Sequence, residues 1–76
     1  MPKREVHPRS RTEMIGRYPI EGKLPDWYFR IREISNAAWL VEGCDIWGRE
    51  VSRTGGDPER LLAACVSDAA EILRQT

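Results

Sequence analysis

Residues 55 to 73 read as a helix start followed by one amphipathic helix, and a lone helix of that kind folds only by finding a second layer for its apolar side. In Gly55-Gly56-Asp57-Pro58-Glu59, the Asp57 carboxylate is placed to accept the free amides of the first turn. Pro58 suits the first helical position because the N–H it lacks would have no partner there, and Glu59 complements the positive end of the helix dipole. On a helical wheel Leu62, Cys65, Val66, Ala69, Ile72 and Leu73 gather on one side, with Arg60, Ser67, Glu71 and Arg74 opposite.

The missing layer is supplied from Trp27 onward, where the apolar period changes to two. In 27–34 the odd positions Trp27, Phe29 and Ile31 form one face, and Tyr28, Arg30 and Arg32 the other. Ser35-Asn36-Ala37 interrupts the run with turn formers, and a second strand follows over 38–44. Setting residue 34 opposite 38 places Phe29 against Gly43, Ile31 against Val41 and Arg30 against Glu42, so apolar meets apolar and opposite charges pair. Asp45-Ile46-Trp47-Gly48-Arg49 marks a second hairpin, with Asp opening the turn and Gly48 able to take the left-handed conformation that closes it. The third strand is 49–54, with Val51 opposite Gly43 on the buried face. The expected fold is α+β: a three-stranded antiparallel meander whose odd face packs on one C-terminal helix, β-β-β-α.

The chain before this unit is harder to place. Among the first eleven residues Lys3, Arg4, Arg9 and Arg11 stand against Glu5 alone, and Pro2 and Pro8 discourage regular structure, so residues 1–12 read as a mobile basic arm. Residues 13–26 scatter Met14, Ile15, Tyr18, Ile20 and Leu24 among Gly16, Pro19, Gly22 and Pro25, the pattern of a wrapped loop or one short edge strand. The expected organisation is that arm followed by one small domain over 13–76, with its core in 27–74. A chain of 76 residues buries little more than half of its unfolded surface. The sheet and helix therefore call for help, either from 13–26 packing across the sheet or from a homodimer paired through an edge strand.

Composition narrows the function classes. Twelve basic residues balance twelve acidic ones, so no global field steers the chain to nucleic acid or membranes. No apolar run approaches the roughly 18 residues of a membrane span, and the polar start lacks the hydrophobic core of a signal peptide, so a cytoplasmic setting is expected. Cys44 and Cys65 sit in apolar surroundings and read as small buried hydrophobes rather than a disulfide. His7 is the sole histidine and stands beside Pro8 in the arm, where it cannot be held against a cysteine or serine for acid–base or nucleophilic work. Two cysteines and one histidine are too few and too scattered for zinc, and Gly55-Gly56 lacks the longer glycine pattern and the lysine of a phosphate loop. No catalytic, metal or cofactor-binding residues are assigned, and a non-enzymatic role is expected.

What remains are surfaces. The even face, with Tyr28, Arg30 and Arg32 beside Leu40, Glu42, Glu50 and Ser52, reads as open, and Trp47 stands at a hairpin tip where a large aromatic can anchor a protein partner. The expectation is a small interaction or regulatory module using Tyr28, Arg30, Arg32 and Trp47. The alternative is nucleic-acid contact through Lys3, Arg4, Arg9 and Arg11 together with Arg17 and Lys23, although aromatic residues are not interleaved with these bases.

Two resemblances bear on this. A three-stranded sheet with a trailing helix resembles double-stranded-RNA-binding domains in topology, but no leading helix is expected and only Arg60 stands where such domains carry a lysine cluster. The run Trp39-Leu40-Val41-Glu42-Gly43-Cys44-Asp45-Ile46-Trp47-Gly48-Arg49, continued by Thr54-Gly55-Gly56-Asp57-Pro58-Glu59-Arg60-Leu61-Leu62, resembles small uncharacterised bacterial proteins with a β-β-β-α layout. That likeness covers 27–74 and rests on turn glycines, a helix cap and core aromatics. It implies a fold and a bacterial source, and no activity or cofactor.

Overall fold

The computed structural model describes residues 8–75, and six elements follow one another along them: α1 (Arg11–Arg17), β1 (Ile20–Leu24), β2 (Trp27–Ser35), β3 (Ala38–Asp45), β4 (Glu50–Gly55) and α2 (Pro58–Gln75). The strands form one antiparallel sheet in the order β1-β2-β3-β4, so the three-stranded expectation is corrected to four. The added strand lies in the stretch that read as loop or edge. Ile20 pairs with Phe29 and Leu24 with Trp27, while an irregularity between them interrupts the ladder.

The two hairpins hold the register that the side-chain pattern predicts. Phe29 lies opposite Gly43, Arg30 opposite Glu42, Ile31 opposite Val41, and Val51 opposite Gly43 from the other side. Near the β2–β3 turn the register slips between Glu33 and Ser35, so Ser35 and not Ile34 meets Ala38. The β3–β4 turn is organised by Asp45, which is fully buried. Its Oδ1 accepts the N–H groups of Trp47 at 2.9 Å and Arg49 at 2.7 Å, and its Oδ2 accepts Arg49 Nε at 2.5 Å. Gly48 sits at φ 94°, the left-handed conformation that a side chain would strain.

Helix α2 starts as its sequence dictates. Asp57 Oδ1 accepts from the amides of Glu59 at 3.1 Å and Arg60 at 3.3 Å, and the Asp57 carbonyl accepts the first intrahelical bond from Leu61. Its apolar side meets the odd face of the sheet, where Trp27, Phe29, Val41, Cys65 and Ala69 form the main core. Ile20, Leu24, Ile31, Val51, Leu61, Leu62, Val66, Ile72 and Leu73 pack around them. A bidentate pair from Arg53 to Asp68, 2.7 and 2.9 Å, ties β4 to α2 at the margin. Trp27 and Phe29 stack with ring centroids 6.2 Å apart. The Trp27 indole N–H is sealed in this core with no acceptor among the described residues, so part of the ring's burial is offset by a donor stripped of water.

The other face is not open throughout. Helix α1 lies over one end of it, and Met14, Tyr18, Tyr28 and Cys44 form a second cluster with Ile15 and Ile46 at its margin. Residues 11 and 12 therefore belong to a helix rather than to a mobile arm. Ser10 caps that helix by accepting the Glu13 amide at 3.2 Å, and Tyr18 closes it with a bond from its N–H to the Met14 carbonyl. The Ile46 backbone anchors the segment, since its carbonyl accepts from Arg9 N–H at 2.8 Å while its own N–H donates to the Asp26 carbonyl at 3.1 Å. Packing of 13–26 across the sheet is thus part of how this short chain completes its core.

Candidate functional site

The even face divides into a covered end and an uncovered end, and the four residues expected to form one partner surface fall on both sides of that divide. Tyr28 is only 8% exposed, held beneath Met14 and Tyr18, which removes it from the accessible surface. The physical reason is that α1 supplies the apolar cover that Tyr28 and Cys44 require on a largely charged face. Arg30 is partly covered as well. Its guanidinium lies 4.6 Å from the centre of the Tyr18 ring, and its Nε donates to Glu42 Oε1 at 2.8 Å. Arg32 remains exposed, with its Nη2 3.3 Å from the same Glu42 oxygen.

Trp47 sits at the tip of the β3–β4 hairpin, 49% exposed. Five residues of β3 separate that tip from Leu40, the partner of Arg32, or about 17 Å along the strand. Arg32 and Trp47 therefore do not make one patch. The side chain that sequence reasoning passed over is Ile34, 51% exposed two residues beyond Arg32 on β2. Ile34 lies at the register slip between Glu33 and Ser35, and half-buried Leu40 stands opposite Arg32, so this end of the sheet carries apolar side chains among its charges.

Electrostatics follow this geometry. The hydrogen bond from Arg30, and behind it the charges of Arg30 and Arg32, hold the Glu42 carboxyl below the usual glutamate range, and the same bond raises Arg30. Burial pushes the Tyr18 hydroxyl up, with the Cys44 and Glu50 charges adding to it and Arg30 opposing. The Cys44 thiol is raised by burial against the opposing charge of Arg9, whose Nη1 donates to Cys44 Sγ at 3.7 Å. Cys65 is raised by burial too, and its Sγ donates to the Val41 carbonyl at 3.5 Å. Both cysteines are free and buried.

The basic residues expected to touch nucleic acid are only partly described: Lys3 and Arg4 lie outside the described residues. Arg9 turns inward to Cys44, and Arg11 makes a bidentate pair with Glu21 at 2.9 and 2.6 Å, which holds α1 to β1. The side chains of Arg17 and Lys23 make no hydrogen bond or ion pair among the described residues. No group of three or more His, Cys, Asp or Glu side chains among the described residues is placed to hold a metal ion. No helix of the described residues is long and apolar enough to cross a membrane.

A cavity of about 260 Å³ opens where α1 ends over β3 and β4, lined by Tyr18, Glu42, Gly43, Glu50, Val51 and Ser52. Its position follows from the register, since Glu42 pairs with Ser52 and Cys44 with Glu50 on the face where Tyr18 forms the wall. The sequence places Glu42, Glu50 and Ser52 together on one face, but Tyr18 joins them only through the fold of α1.

No protein-family model matches this chain, no curated protein matches it, and no solved structure matches it. The likeness to small bacterial β-β-β-α proteins thus assigns the chain to no family.

Proposed function

We propose that the protein is a small, non-enzymatic interaction module that binds a protein partner through the uncovered end of the even sheet face, with the Trp47 tip as a separate anchor. The observation that carries this reading is the exposure of Ile34, two residues beyond Arg32 on β2, at the end of the sheet that α1 leaves bare. An apolar side chain rimmed by charge is the composition of a protein-binding surface, where the apolar part supplies affinity and the rim supplies orientation. A bacterial cytoplasm is the setting that goes with this reading.

The test is a photo-crosslinking residue placed at Leu40, with the same residue at Ser67 on the far side of α2 as control. The expected result is a discrete crosslinked protein from position 40 that disappears when Ile34→Asp is added. Equal products from both positions, or none from position 40, remove the reading.

A further inference from the structure

We infer that the groove between β1 and α2 is the contact face of a two-fold symmetric dimer of this chain, in which Lys23 of each copy pairs with Glu59 of the other.

The groove exists because one helix is too narrow for this sheet. Four strands about 4.8 Å apart make a layer roughly 19 Å wide, and a helix about 10 Å across covers little more than half of it. Helix α2 lies mainly on β3 and β4 and only lightly on β1 and β2. On the β1 side of the helix a groove of about 570 Å³ opens, lined by Lys23, Glu59, Leu62, Ala63 and Val66. Ile20 and Leu24 of β1 and Leu62 and Val66 of α2 are left half-buried, and Ala63 is exposed. Covering these side chains removes apolar surface from water, which favours association.

Charge selects a second copy as the occupant. Lys23 stands on the β1 wall and Glu59 on the α2 wall, and neither side chain makes a hydrogen bond or ion pair among the described residues. A two-fold axis running along the groove sets the β1 wall of one copy against the α2 wall of the other, so each unpaired lysine meets an unpaired glutamate. A partner surface of a single charge would be attracted by one wall and repelled by the other. An exposed ion pair contributes little by itself, so the apolar floor supplies the attraction and the charges fix how the two copies align. Pairing of two β1 edges is a poorer match. Gly22 sits at φ 85° and the ladder of β1 is interrupted between Ile20 and Leu24, which leaves no regular edge for a second strand to extend.

The experiment measures the mass of the full chain by sedimentation equilibrium over about a hundredfold range of concentration. A monomer–dimer equilibrium is expected, weakened about tenfold by Lys23→Glu and by Glu59→Lys, each of which turns attractive contacts into repulsive ones, and restored when both changes are combined. Mixing the two single variants is the decisive arm. A heterodimer as tight as the parent dimer is expected, since each variant supplies the charge that the other lacks, whereas a contact within one chain would not be repaired by mixing. Lys23→Glu leaves the start of α2 untouched and keeps the inference testable should Glu59→Lys fray the first turn. Ala63→Glu, at an exposed position, should leave the circular dichroism unchanged and abolish the dimer. A monomer throughout, growth beyond the dimer, a dimer indifferent to Lys23→Glu, or mixed variants that stay apart overturn the inference. This face and the Ile34 surface fail separately, because the groove lies on the side of the sheet that α2 covers and the Leu40 crosslinker on the other.

Discussion

The ring of Phe29 rests on the bare backbone of Gly43, its opposite number on β3. A Cβ at position 43 would lie 2.5 Å from Phe29 Cδ2 and Cε2 and 3.0 Å from Val51 Cγ2. Both neighbours belong to the core between sheet and helix, so neither can move far without opening the stack of Trp27 on Phe29. Gly43→Ala is expected to destabilise the protein by about 1–3 kcal/mol, an overpacking cost that outweighs the alanine's better strand propensity. In a domain of this size that lowers the melting temperature by roughly 4–8 °C per kcal/mol, readable by circular dichroism. An unchanged melting temperature would mean that the ring is not confined as described.

Asp45 answers two turn amides and one guanidinium from a fully buried position. Asp45→Ala should cost about 1.5–3 kcal/mol, because the amides of Trp47 and Arg49 lose a charged acceptor. Denaturant unfolding measures it. The Trp47 fluorescence should change with the loosened tip, whereas a variant as stable as the parent would show that the carboxylate is dispensable.

The second cluster predicts a local rather than global response. Met14 is buried against Cys44 and Tyr28, and α1 has only seven residues, held otherwise by Tyr18, Ile15 and the exposed Arg11–Glu21 pair. Met14→Ala should raise the rate at which a disulfide reagent modifies Cys44 by at least about tenfold, since removing a buried methionine commonly costs about 2 kcal/mol or more. Cys65, on the sheet-facing side of α2, should stay protected. Equal acceleration of both thiols would indicate that the two cores open as one unit.

Acid sensitivity should trace in part to Glu42. Its carboxyl is held below the ordinary range in the folded protein, so the pair with Arg30 contributes stability that is present at neutral pH. That contribution is lost as pH falls from about 4.3, the unfolded value, through the lower folded one. Glu42→Gln should therefore reduce stability at pH 7 and have little effect well below that window. Denaturant midpoints across pH 7 to about 3 check it, and a constant difference across the range would contradict the assignment.

Local chemistry accounts for how much of the main layer was legible. Asp57-Pro58 carries its own helix start, and the alternation of Trp27, Phe29 and Ile31 against Arg30 and Arg32 fixes which face is buried. Opposite charges at Arg30 and Glu42 reinforce one register over its neighbours. Helix α1 was hidden because Gly16 and Pro19 read as breakers, and seven residues are too few to show a period. Two signals were nonetheless present. Ser10 stands three residues before Glu13, the spacing of a helix start, and Tyr28 and Cys44 are apolar residues side by side at one end of a largely charged face. Uncapped apolar residues on the second face of a sheet demand a cover, and the segment preceding β1 was the one available to supply it.

The sequence by itself determined the α2 cap, the registers of β2 with β3 and of β3 with β4, and the face that α2 would cover, because each rests on residues close in the chain or on strict alternation. Tertiary structure alone decided that the N-terminal segment would fold back over Tyr28 and Cys44 and bring Tyr18 into one cavity lining with Glu42, Glu50 and Ser52. That choice depends on burying a small apolar cluster between groups far apart in the chain, an energy that no local pattern encodes.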